Sequence, residues 1–180
     1  MILKEVKSKQ IPLIYNLYME AFPEDERKPF ELMQQKVAEG KMEMLAIEEE
    51  DQFLGLAITI LHKDMVLIDY FAIASECRGQ GVGGKALSLL KERYKKQRLF
   101  LEIEVIDEKA DNNAERIRRK AFYKSHGLSE ARIYVCLFGV DMELLAVDCQ
   151  ITYEEYHNVY AETFGLDIAK NIFQKIKTYS

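Results

Sequence analysis

The sequence predicts an α/β protein built on one mixed β-sheet of about six to seven strands flanked by helices. Three observations lead there. Segments whose apolar residues alternate or run continuously are interleaved with segments whose apolar residues recur at three- and four-residue steps. Some neighbouring strand segments are joined by short turns, which give antiparallel pairs; others are joined by helical segments, which give parallel ones. The chain has 180 residues, 48% of them hydrophobic, enough to bury one good core.

Residues 2–6 read as the first strand. A helix follows over 11–22, with Ile11, Ile14, Leu17, Tyr18, Ala21 and Phe22 on one face and Pro23 as its stop. Residues 30–39 form a second helix, closed by Gly40. Residues 42–48 and 52–62 make a strand pair across the charged turn at Glu49, Glu50 and Asp51. Residues 66–73 are a strand and residues 85–94 a helix, with Val82, Ala86, Leu89, Leu90 and Tyr94 facing inward. Then come a strand over 99–106, a helix over 115–125 ending before Gly127, and strands over 133–138 and 142–147. Tyr153, Tyr156, Tyr160 and Phe164 form a helical stripe that reads as core or as a subunit interface, and 168–176 reads as a further short helix. The expected organisation is one domain over 1–150 with a helical extension over 151–180, packed on that domain or on a partner subunit in a homodimer.

The run Arg78-Gly79-Gln80-Gly81-Val82-Gly83-Gly84-Lys85 holds four of the chain's nine glycines. A glycine-rich turn between a strand and a helix start places several backbone N–H groups on one anion. Such a turn points to a phosphate-bearing ligand, since glycine weakens regular structure by about 0.5–1 kcal/mol relative to alanine. Three patterns overlap here. A P-loop needs a Ser or Thr for Mg²⁺ where Ala86 stands, and Ser88 comes two residues too late. A dinucleotide fingerprint, Gly79-x-Gly81-x-x-Gly84, should follow its strand closely, yet five residues separate Ile73 from Gly79. Glu102 does lie near the distance of about twenty residues at which a ribose-binding acid falls, which keeps an NAD-dependent oxidoreductase open. The third pattern is Arg78-x-x-Gly81-x-Gly83.

That third pattern, with the preceding strand from Asp69 to Ile73, resembles motif A of the GNAT acetyltransferase superfamily, whose R/Q-x-x-G-x-G/A loop binds the coenzyme A pyrophosphate. Downstream, Ala121-Phe122-Tyr123-Lys124-Ser125-His126-Gly127-Leu128 is similar to motif B, with Leu128 in place of the usual aromatic. Arg116 stands where the family often has Asn, seven residues before Tyr123. The resemblance covers about residues 66–128. It implies the GNAT fold and transfer of an acetyl group from acetyl-coenzyme A, a co-substrate, to a primary amine of a small molecule or peptide. It implies that the amides of Gln80 to Gly84, with Gly81, Val82 and Gly83 between them, bind the pyrophosphate, and that Gly79, Arg78 and Lys85 belong to the same cofactor loop. The main chain of Phe71, Ala72 and Ile73 would pair with the pantetheine arm.

An alkylamine has a pKa of about 10 and must lose a proton before it attacks. The family often carries that base four or six residues before the strand's last hydrophobic. Four before Ile73 is Asp69; six before is Leu67, which cannot serve. Glu102 and Glu104, sharing a face of the next strand, are the alternatives. Tyr123 holds the family's general-acid position, where it would protonate the departing thiolate. A non-catalytic acyl-coenzyme A-binding module on the same fold is the main rival to an enzyme.

A net charge of −5 argues against a general nucleic-acid binder. Cys77, Cys136 and Cys149 show no C-x-x-C spacing, and His62, His126 and His157 lie far apart, so no metal is expected. Reduced thiols, no secretion signal after the first strand and no long apolar stretch fit a cytoplasmic protein away from membranes.

Overall fold

The computed structural model describes residues 1–175. Two compact units divide the chain, one of residues 1–61 and 68–95, the other of residues 62–67 and from 96 onward. Eight strands are hydrogen-bonded in the order β1-β2-β3-β4-β5-β7-β6-β8. Among the described residues no helix is long and apolar enough to cross a membrane.

The first unit holds β1 (Ile2–Glu5), α1 (Ile11–Ala21), α2 (Phe30–Ala38), β2 (Met42–Glu49), nearly all of β3 (Gln52–His62), most of β4 (Met65–Ile73) and α3 (Val82–Arg93). β1 lies antiparallel on β2 with Leu3 opposite Ile47. The β2–β3 hairpin turns through Glu50 (φ 51°) and Asp51 (φ 62°), two left-handed residues in succession, as a tight two-residue turn demands. Its register slips between Ile47, opposite Gly55, and Glu48, opposite Phe53, leaving Leu54 as the extra residue of a bulge. The Leu54 carbonyl then accepts from Ala74 N at 2.9 Å, just beyond the end of β4. Leu54, Ile47, Ala74, Cys77, Val82 and Ala86 pack into one apolar cluster that seats the start of α3. Cys77 is thus a core residue. The buried face of α3 carries Val82, Ala86, Leu87 and Leu90, with Leu87 fully enclosed where the sequence pattern favoured Leu89.

The second unit contains the start of β4, then β5 (Arg98–Glu104), α4 (Asn113–Ser125), β6 (Ser129–Leu137), β7 (Val140–Ala146), α5 (Tyr153–Phe164), α6 (Leu166–Ala169) and β8 (Ile172–Lys175). β7 pairs antiparallel with both β5 and β6. α5 opens on a capping box in which Thr152 Oγ1 accepts from Glu155 N at 3.2 Å and Thr152 N donates to Glu155 Oε2 at 2.9 Å. Tyr156 and Tyr160 are fully buried, so the tyrosine stripe serves the core of this chain.

The C-terminal extension departs from expectation. The short helix foreseen over 168–176 ends at Ala169, and residues 172–175 form β8, antiparallel to β6 with Ile172 opposite Leu137. This raises the sheet to eight strands where six to seven were expected. Isoleucines at 168, 172 and 176 are four apart, a spacing that suits one face of a helix and, as a multiple of two, one face of a strand. Available partners decided it: Tyr153 Oη donates to the Ile172 carbonyl at 2.9 Å, and Phe138 N to the Asn171 carbonyl at 3.1 Å. Residues 176–180 of the expected extension lie outside the described residues.

Gly55 fits one place only. A Cβ there would stand 2.4 Å from the Ala72 carbonyl oxygen, a backbone atom that cannot step aside. Gly55→Ala is expected to destabilise the fold by about 2 kcal/mol, measured as a lower urea midpoint, because the overpacked atom forces β3 away from β4.

Candidate functional site

After Ile73 the chain makes a 3-10 turn over Ser75–Cys77, then passes through Arg78 to Gly79 (φ 76°) and Gly81 (φ 77°). A Cβ at either glycine would meet nothing within 4 Å, so the left-handed backbone, not crowding, is what demands glycine there. Gly81 is the N-cap of α3, which begins at Val82, three residues earlier than the sequence suggests. No side chain caps this helix. Its first intrahelical bond is donated by Lys85 N to the Gly81 carbonyl at 3.2 Å. The amides of Gly81, Val82, Gly83 and Gly84 are therefore the orphan donors of the helix start, at the positive end of its dipole.

Residues 78–81 are exposed, and two side chains brace them from below. Arg78 Nε donates to the Ile73 carbonyl at 2.9 Å, and Gln80 Nε2 to the Glu76 carbonyl at 3.0 Å. Lys85 is exposed on the first turn of α3. Phe71, Ala72 and Ile73 are the last three residues of β4, with Phe71 and Ile73 packed against the cluster that seats α3. This cradle fits a diphosphate: unpaired N–H groups, no competing carboxylate cap and small residues at the point of approach.

Asp69 lies in the same unit, on β4. Its side chain is 1% exposed and forms an ion pair with Lys28 Nζ at 2.7 Å through Oδ1. Oδ2 is buried without a hydrogen-bond partner. Lys28 belongs to the link between α1 and α2, whose main chain is tied down by two tyrosines. Tyr18 Oη donates to the Lys28 carbonyl at 2.9 Å, Lys28 N donates to Tyr70 Oη at 3.1 Å, and Tyr70 Oη donates to the Glu26 carbonyl at 2.9 Å. Nothing local in the sequence pairs Lys28 with Asp69, because 41 residues separate them.

The remaining candidates stand in the second unit. Glu102 on β5 accepts from Tyr156 Oη at 2.5 Å and from Tyr160 Oη at 2.6 Å, one phenol to each oxygen. Glu104, 6% exposed at its side chain, faces two guanidinium groups, Arg116 at 2.7 Å and Arg119 at 2.9 Å, and accepts from Asn112 Nδ2 at 3.2 Å. Asn112 Oδ1 in turn accepts from Arg116 Nε at 2.7 Å. These two carboxylates anchor α5 and α4 respectively to β5.

Tyr123 is buried near the end of α4. Leu128 N donates to the Tyr123 carbonyl at 3.1 Å and Gly127 N to the Lys124 carbonyl at 3.1 Å, with Gly127 at φ 86°. That pair of bonds is a Schellman cap, and it explains the motif spacing: tyrosine three positions inside the cap, glycine just after it, an apolar residue next. Leu128 meets the last requirement, 3% exposed. Burial pushes the Tyr123 phenol up to about 12, with the Arg119 charge opposing the shift.

Comparison with known proteins adds to this geometry. The profile of the acetyltransferase (GNAT) family matches residues 11–128. The Bacillus subtilis (strain 168) protein YjbC, named as an acetyltransferase, is 31% identical over 94 residues, covering 52% of this chain. The match spans only 40% of that relative's length. Among solved structures, a GNAT-family protein from Bacteroides thetaiotaomicron superposes with a TM-score of 0.78 at 19% identity, over 92% of this chain and 99% of the other. A GNAT-family acetyltransferase from Elizabethkingia anophelis with acetyl-CoA bound superposes with a TM-score of 0.61 at 18% identity, over 82% and 97%.

The buried phenol has a consequence for alkaline stability. Its ordinary value is 10.0 and its folded value about 12, so between these the unfolded chain releases its proton first. Stability is whole below the lower value and falls as pH rises through the higher, at about 1.4 kcal/mol per pH unit for one group. Urea titrations across this range should show a steeper loss for the parent protein than for Tyr123→Phe.

Proposed function

Because this chain belongs to the GNAT acetyltransferase family, we propose that it transfers an acetyl group from acetyl-coenzyme A to a primary amine. The observation that carries this reading is the start of α3, a helix N-terminus uncapped by any side chain and led by two left-handed glycines on an exposed loop. The amides of Gln80 to Gly84 hold the pyrophosphate, with Gly79 shaping the turn and Arg78 and Lys85 adding positive charge. The main chain of Phe71, Ala72 and Ile73 pairs with the pantetheine arm as an added strand does. The co-substrate supplies the activated acetyl thioester; the protein supplies position and proton transfer.

Asp69 is the general base in this reading. It is the candidate with a lone-pair-bearing oxygen, Oδ2, left without a partner. Glu102 and Glu104 remain alternatives, but their oxygens already accept from two phenols and from two guanidinium groups. Tyr123 is the general acid: its raised phenol stays protonated at neutral pH and so has a proton to give to the departing thiolate. The acceptor is a small amine or a peptide amine, and the three free cysteines suit a reducing compartment such as the cytoplasm.

The engagement of Glu102 and Glu104 favours a second reading, a binding module without turnover. One pair of measurements separates the two. Calorimetry with acetyl-coenzyme A should show saturable binding, and thiol release should then appear with at least one member of an amine panel. Tyr123→Phe should lower turnover about 100-fold with little change in coenzyme A affinity. Binding with no thiol release from any amine selects the module, and unchanged turnover in the variant removes Tyr123 from its role.

A further inference from the structure

We propose that Lys28 is an acetyl acceptor of this protein, so that the chain modifies its own Lys28 Nζ with Asp69 receiving the proton. The proposal rests on the acetyltransferase reading above and goes beyond it in naming a modification site.

The first argument is chemical identity. An acceptor for this reaction is a primary amine delivered to a base. Lys28 carries an unbranched primary amine, and it touches the carboxylate assigned as that base at 2.7 Å. The second is burial. Asp69 is 1% exposed and Lys28 17% at their side chains, so both charges are held largely out of water. A proton passing along the contact from Nζ to Oδ1 discharges both groups at once, which relieves the penalty that burial imposes on them.

The third argument is incomplete satisfaction. Another enclosed lysine pair, Lys120 with Glu143, uses both carboxylate oxygens, at 2.9 and 2.8 Å. Asp69 spends one oxygen on Lys28 and keeps Oδ2 buried and unpartnered, which is costly for a pair with a purely structural task. The fourth is how the link is held. Tyr18 and Tyr70 bind its main chain at Lys28 and Glu26, so the link stays in place while only the lysine side chain turns. The Tyr70 ring lies 5.0 Å from Nζ, a face that favours the cation before transfer.

The step balances without any redox partner. Nζ gives one proton to Asp69, and its lone pair attacks the carbonyl carbon of an acetyl thioester. The C–N bond forms, the C–S bond breaks, and the second Nζ proton ends on the thiol sulfur. Asp69 then returns its proton to water. The products are Nζ-acetyl-Lys28, a free thiol and one released proton.

The test is incubation of the full chain with acetyl-coenzyme A and no added amine, followed by intact mass and peptide mapping. Lys28 should be labelled about tenfold faster, or more, than the exposed Lys63 and Lys170, because it is held against a base. The first-order rate should not depend on protein concentration. Lys28→Arg, which keeps a cation at Asp69, should lose that fast phase, and Asp69→Asn should slow it. If the preparation binds acetyl-coenzyme A by calorimetry yet labels Lys28 no faster than Lys63 and Lys170, the proposal is overturned while the enzymatic reading stands. A rate that rises with protein concentration overturns the transfer within one chain. Absence of binding sinks the enzymatic reading, and this proposal with it.

Discussion

A helix that begins with nothing to cap it is the constraint on which the first unit is organised. Each α-helix leaves its first four N–H groups without internal partners, and most helices satisfy some of them with a Ser, Thr, Asp or Asn side chain. α3 begins on Gly81, which has no side chain to offer. Its donors stay available only because the surrounding chain holds the turn in place. The bulge at Leu54 lets β3 reach past the end of β4 and bind Ala74. Gly55 allows the close approach to Ala72 that this requires. Arg78 folds back on Ile73, and Val82 and Ala86 root the first turn in the core. Packing thus does the stabilising that a cap would otherwise do, and the donors are left without a side-chain cap.

Three carboxylates show how little residue type says about role. Asp69, Glu102 and Glu104 are each acidic, each on a strand, and each a candidate for the same proton-accepting role. Their surroundings differ in kind. Glu104 is neutralised by two guanidinium groups and hydrogen-bonded by an amide, an arrangement that fastens a helix and tolerates burial. Glu102 accepts from two buried phenols on α5. Asp69 meets a single lysine and retains an unpaired oxygen. The cationic run on α4 resolves in the same way. Arg116, in the place where the family often has Asn, is drawn to Glu104 with Asn112 beside it, so the departure from the family pattern serves the attachment of the helix.

Local signals made much of the fold legible. Pro23 and Gly40 mark the ends of α1 and α2, and Gly127 marks the end of α4; each acts through its own backbone preferences and needs no distant partner. The tyrosine-to-glycine spacing of motif B was readable for the same reason, since a Schellman cap is closed by residues within six positions of one another. Errors arose where local signals were degenerate. A run of glycines disguised the true start of α3, because low helix propensity reads as loop even where packing makes it helix. Isoleucines four apart fit helix and strand equally, and the edge of β6 chose strand.

Alone, the sequence determined the order of elements from β1 to α5, the turn chemistry around the glycine loop and the resemblance to a family of acetyl-transferring proteins. These follow from interactions between residues near one another in the chain. Only the tertiary structure decided which acid is sealed by arginines, which is shared by phenols and which is left half satisfied against a lysine. Those fates are set by partners 41 to 58 residues away for Asp69 and Glu102, and by two arginines of α4 for Glu104. A one-dimensional pattern carries no record of such meetings, because electrostatic and hydrogen-bond partners are selected by distance in space.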